Sequence, residues 1–338
     1  MSAVAVVGAG VGAATAAHCL TQRHIAVVPG DRPALSRSGA PLVMLGEQAQ
    51  ALLRDVFAGH SALGSELDKA HRITRRIVRW GSNEAHAVEH SALVIAGNWL
   101  AAAIPGSVIG QGTPQFALTT TAPATSRLLR FGQREASATP VVLQTGADPH
   151  AALIESIEHG WLFLIPVGAR DGWLLTVGAE PAEALSESRL IASAVAETGE
   201  ISARFETAPC MLNDPAGCDA LTLGTAALAL DPICGDGVAT AVRGGILAAA
   251  IAAEIAQDSG LDRAALIGHY RAMLIAAMRR HLAVSAPFYQ RGGQGAWWRE
   301  QAEATALGHA WCTRQLAAAG DAQFMLIGDR IALRDRVA

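Results

Sequence analysis

The sequence has little charge, no paired cysteines and no long apolar run, and each absence removes a class of function. Charged residues make up 17% of the 338, with a formal net charge of −4. That leaves no basic footprint for nucleic acid. The five cysteines (Cys19, Cys210, Cys218, Cys234 and Cys312) are odd in number and scattered, with no CxxC pair. This argues against a disulfide framework or a zinc site and for reduced thiols in the cytoplasm. The longest apolar stretch, Gly245 to Ala253, is bounded by Arg243 and Glu254 and is too short to span a bilayer. No Ser/His/Asp triad or metal-ligating cluster is legible, and the first residues run straight into a strand rather than a signal peptide.

What is present begins with AVAVVGAGVGAATAAHCL, an Ala/Val strand followed by Gly8-x-Gly10-Val-Gly12-Ala13. Gly8 provides a tight turn, Gly10 lets the backbone approach a pyrophosphate, and Ala13 is small enough for the following helix to pack on the strand. The strand Ile25 to Val28 completes a βαβ opening. Asp31, just beyond it, either reaches an adenosine ribose or is a solvated turn residue. Arg32 and Arg37 either meet a phosphate or lie on the surface.

A second stretch, Leu221 to Leu247, reads as a strand end, a glycine-broken loop and a long apolar helix. Asp231-Pro232 starts a turn, because the residue before proline is pushed out of the helical region. Gly235 and Gly237 remove the Cβ from the path of a ligand. A glycine loop opening a helix presents unpaired N–H groups and the positive end of the helix dipole.

Together Gly8-x-Gly10-x-x-Ala13 and GTAALALDPICGDG, from Gly224 to Gly237, resemble the FAD-dependent monooxygenases, whose second flavin motif is commonly GDAAxxxDPxxGxG. Gly160-Trp161-Leu-Phe163-Leu-Ile165-Pro166 is similar to the GWxWxIP signature of flavin-dependent tryptophan halogenases, with Phe163 at the second tryptophan. The stretch ending Gly46-Glu47 matches a loop of that group. The resemblance implies an α/β protein: a Rossmann-type FAD-binding domain with an interleaved, mostly antiparallel β-sheet substrate domain. It divides the chain into 1–60 and 215–290 for FAD, 61–214 mainly for the substrate sheet with some FAD-domain elements, and 291–338 as a helical C-terminal region.

The resemblance also assigns residues. Gly224, Thr225, Asp231, Pro232, Gly235, Asp236, Gly237 and Val238 fall on the flavin motif. Thr225 stands where the family has the aspartate that binds the ribityl chain. Asp236 reaches the flavin or nothing, and Glu47 is either a flavin-loop anchor or a helix N-terminal acid. In the halogenases a lysine four residues before a tryptophan holds the hypohalous species. Counting back from Trp80 places Arg76 there, and an arginine offers no amine that is readily deprotonated. Residues 68 to 80 read otherwise as a basic edge strand facing solvent. Trp161 and Trp173, on a hairpin, either stack on a substrate ring with Phe163 or belong to the core. Trp297 and Trp298 cover the chamber or pin the last helix.

The implied activity is FAD-dependent oxygen insertion into a tryptophan- or tyrosine-like side chain, free or in a partner protein, with a flavin reductase or NAD(P)H as electron source. A small halogenase, and a weakly flavin-binding maturation protein, are the alternatives.

Overall fold

The computed structural model describes residues 2–29, 41–97, 100, 110, 112–217, 219–320 and 322–334. Asp31, Arg32, Arg37 and Cys218 lie outside the described residues. The fold is α/β, with a parallel sheet and a second, mostly antiparallel sheet.

Ala3–Val7 lies inside a four-stranded parallel sheet between Ala26–Pro29 and Phe116–Thr119, and Ala220–Thr222 forms the far edge. Its apolar run suits a strand covered on both faces. Gly8 ends it with φ +109°, and any Cβ there would collide with Thr120. From Gly10 the chain enters helix Val11–Gln22, which is crossed by helix Gly237–Ala256. The crossing is backbone on backbone: a Cβ at Gly245 would lie 2.6 Å from the Gly12 carbonyl oxygen and 2.9 Å from Thr15 Cβ. Helix Gly237–Ala256 is long and apolar enough to cross a membrane by length and composition, but Leu247 to Ala253 are buried in the largest core cluster.

The other sheet has nine strands, ordered Val195–Thr198, Glu135–Leu143, Asp171–Val177, Gly160–Pro166, Ala151–Ile157, His71–Arg79, His86–Ala96 and Leu42–Gly46, with Ala203–Glu206 also pairing to Glu135–Leu143. All its pairs are antiparallel except His71–Arg79 with Ala151–Ile157. His71–Arg79 is therefore an interior strand and not the edge strand its charge suggests. Its outward arginines find carboxylates: Arg75 meets Asp148 at 2.6 Å and Arg79 meets Glu155 at 3.1 Å.

One helix boundary also differs. The pattern predicts a helix over His269 to Ala283, with Ala286-Pro287-Phe288-Tyr289 beyond it, yet the helix runs unbroken from Arg263 to Arg291. A proline in a helix interior costs roughly 3 kcal/mol. The turn beyond it offsets that cost with aromatic packing. Tyr289 and Trp298 are buried against each other, and the Trp80 indole N–H donates to the Phe288 carbonyl at 2.9 Å. Trp298 also donates to the Ile157 carbonyl at 2.9 Å, so it pins the last helix, Ala296–Ala319, to the large sheet.

Candidate functional site

Three helices start on glycine-rich loops without a capping side chain: Val11–Gln22 after Gly10, Glu47–Val56 after Gly46, and Gly237–Ala256 after Asp236. Each leaves its first N–H groups open. A Cβ built at Gly10, Gly46, Gly224 or Gly237 meets nothing within 4 Å. Gly10 and Gly224 have φ of +106° and +67°, which favours glycine. The loops adjoin one another, since a Cβ at Gly12 would lie 3.1 Å from Leu223 and 3.4 Å from the Gly224 Cα. Ala13 is buried under this crossing, and Thr225 is exposed on the short turn Gly224–Ala226. Segments more than 200 residues apart thus form one open, donor-rich cradle.

Two motif residues turn inward. Val238 packs into the cluster of Leu45, Leu53 and Leu93. Asp231 is buried, and its carboxylate accepts from the Ile233 N–H at 3.0 Å and from the Tyr289 hydroxyl, and pairs with Arg134 at 3.1 Å. Its own N–H donates to His281 Nε2 at 3.1 Å. The motif aspartate therefore holds the turn Pro232–Cys234 from below, with both carboxylate oxygens bound by the protein's own groups. His281, accepting at Nε2, carries its proton on Nδ1, which faces Asp236 Oδ1 at 3.6 Å. Burial opposes the Asp236 charge, but His281, the Asp236 backbone N–H and Arg280 together outweigh it and hold the carboxyl below the usual range.

Arg134, Tyr289 and His281 were not legible as site residues. The available signal is His281, Ser285 and Tyr289, three buried polar residues at steps of four along one helix face. It shows only once the helix is carried through Pro287.

Strand alternation and register put Arg76, Val78, Ala152, Ile154, Phe163, Ile165, Trp173 and Leu175 on one face of the large sheet. Ile233 of the glycine loop packs on that face. Arg76 reaches the loop itself: its Nη2 would lie 3.8 Å from a Cβ at Gly235. Its Nε has no hydrogen-bond partner, and burial lowers its pKa. Beside it His90, also missed by the sequence reading, has an unpartnered Nε2, and its pKa is lowered by burial and by Arg76, against an opposing pull from Glu47. Glu47 itself is exposed at the start of its helix.

The aromatic candidates separate. Phe163 and the half-buried Trp173 lie on the Arg76 face. Trp161 points the same way two residues on, but only 1% of it is exposed, beneath the aromatic packing of Trp298, so it has no free face for a substrate. The chain's single lysine, Lys69, is exposed at the end of helix Ser61–Lys69, where it pairs with Glu66.

No protein-family model matches the chain, and no curated protein matches it in sequence. Solved structures do match. The flavin-dependent halogenase CmlS superposes with a TM-score of 0.71 at 14% identity, over 94% of this chain and 71% of that one. The peptidyl tryptophan dihydroxylase QhpG, essential for tryptophylquinone cofactor biogenesis, gives 0.66 at 16%, over 98% and 86%. The flavin-dependent brominase Bmp2 gives 0.66 at 15%, over 94% and 93%. Across nearly its whole length, this chain has the fold of the flavin-dependent halogenases and of a peptidyl tryptophan hydroxylase.

Proposed function

We propose that this protein binds FAD without a covalent bond and inserts oxygen into an electron-rich aromatic ring of the tryptophan or tyrosine kind, free or within a partner protein. The cradle fits a dinucleotide flavin. It has open space at Gly10, Gly46, Gly224 and Gly237 and three uncapped helix starts. The Gly8–Ala13 loop would hold the pyrophosphate, Thr225 the ribityl chain, and Gly235 to Gly237 with Gly46 and Glu47 the ring system. When bound, the flavin supplies the oxygen chemistry. The protein's part is to orient the acceptor ring on the Phe163 and Trp173 face and to keep water from it.

The observation that carries hydroxylation over halogenation is Arg76. It occupies the position that the resemblance gives to a lysine, and the only lysine in the chain is on the surface elsewhere. A guanidinium stays charged and delocalised, with no free amine to hold a hypohalous species. Turnover of indole compounds with reduced flavin and oxygen, with and without chloride or bromide, should give oxygenated products and no halide dependence. A halogenated product would overturn the reading. Gly10→Val should abolish bound flavin while leaving the chain folded.

Thr225 favours a second reading, in which FAD is held too weakly for turnover and the chain serves assembly. Threonine lacks the charge assistance of the aspartate it replaces. Colourless protein after reconstitution with excess FAD would select it.

A further inference from the structure

We propose that Arg76 recognises a carboxylate carried by the aromatic substrate, an inference that rests on the hydroxylase reading above and names the substrate class for it. Moving a guanidinium out of water is costly unless it is paired. Three other buried arginines follow that rule, while Arg271, on helix Arg263–Arg291, shares with Arg76 a buried Nε that has no acceptor. Arg23 meets Glu254 at 2.7 Å, Arg79 meets Glu155 at 3.1 Å and Arg134 meets Asp231 at 3.1 Å. Arg76 does not. Among the described residues no carboxylate lies within 4.0 Å of it, and its Nε is left without an acceptor.

Neither nearby acid forms an ion pair with it. Asp236 faces His281, and Glu47 stands exposed at its helix start. The polar neighbour on the same face is His90, whose depressed pKa favours the neutral ring, so it neither competes with Arg76 as a cation nor neutralises it. Around Arg76 the face is apolar, with Val78, Ala152, Ile154 and Phe163. A planar fork of donors at the border of an apolar face matches an aryl group bearing a carboxylate, which the guanidinium binds through two parallel hydrogen bonds. The carboxylate has two possible sources: a free aromatic acid, or an acidic side chain next to the aromatic residue of a peptide.

FAD-loaded protein is titrated with indole-3-acetate against indole-3-acetamide, and with N-acetyl-Glu-Trp-amide against N-acetyl-Gln-Trp-amide. Binding is read by perturbation of the flavin spectrum and by thermal shift. In at least one pair the acid should bind roughly tenfold more tightly than its amide, about 1.4 kcal/mol. Which pair responds identifies the source. The preference should vanish in Arg76→Gln, survive weakened in Arg76→Lys, and leave FAD affinity unchanged in both. Equal binding of acid and amide in both pairs overturns the proposal. So does an acid preference that persists in Arg76→Gln. Loss of FAD in Arg76→Gln overturns it too, because the arginine would then serve the cofactor. If Arg76→Gln does not fold, the native acid–amide contrast and Arg76→Lys decide. Failure of the flavin reading itself shows separately, as absent flavin absorbance before any titration.

Discussion

Glu155 and Asp231 are both carboxylates shut away from water, and each holds a loop, yet only one of those loops belongs to the glycine cradle. Glu155 accepts from the Ser188 hydroxyl and from the backbone N–H groups of Arg189, Leu190 and Ile191, and pairs with Arg79. It lies on the face of the large sheet opposite Arg76. Asp231 has a side-chain cation, a phenol and a single backbone donor, and holds the turn before Gly235. Burial alone does not separate them. A buried carboxylate marks where a chain must be held, and the neighbouring open glycines mark which held segment can meet a ligand.

That contrast can be broken from either end. The largest effect is expected for Asp231→Ala, which leaves Arg134 enclosed without a counter-charge. Such losses run to about 3–5 kcal/mol, and FAD binding should fail with it. Chemical denaturation together with flavin titration measures both; an undisturbed unfolding midpoint would show that the pair is not holding the loop.

Glu155→Gln should cost less, about 1.5–3 kcal/mol from weakened charge-assisted hydrogen bonds, and should leave FAD affinity as it was. A parallel loss of flavin would erase the distinction drawn here. Smaller again is Tyr289→Phe. Removing one hydrogen bond to an ion costs about 1.5 kcal/mol, with flavin binding weakened because the Asp231 turn is freed.

The smallest effect is on pH dependence. Burial works against the Glu155 charge, but the Ser188 hydroxyl and the three N–H groups outweigh it and hold its pKa below the usual range. A depressed carboxylate contributes stability that is fully present above its unfolded pKa of about 4.3 and lost as pH falls through the lower folded value. Unfolding free energies measured across that acid range should decline less steeply in Glu155→Gln. An unchanged slope would mean the shift is not felt.

The cradle was legible because its signals are local. Gly8, Gly10, Gly224 and Gly235 all have positive φ, a demand written in one residue type. The Trp161-to-Val177 hairpin and the buried helix after Gly237 were legible from apolar runs bounded by glycine. What the sequence hid depends on contacts made at long range. The basic strand looked like an edge because its partners for Arg75 and Arg79 arrive from Asp148 and Glu155. Pro287 looked like a helix end because the aromatic packing that overrides it comes from Trp80 and Trp298. Asp231 looked like a ligand because nothing near it in sequence announces Arg134 and Tyr289.

The close crossing at Gly12 and Gly245 has a consequence for the order of events in biosynthesis. Helix Val11–Gln22 is made more than 200 residues before the surface it packs on, the backbone of Gly237–Ala256. Until that helix has emerged, the Gly8–Ala13 loop has neither its packing partner nor its companion loop at Gly224. On the proposed reading, capture would wait until helix Gly237–Ala256 has been made, so a loaded cofactor would report that the two distant loops have met.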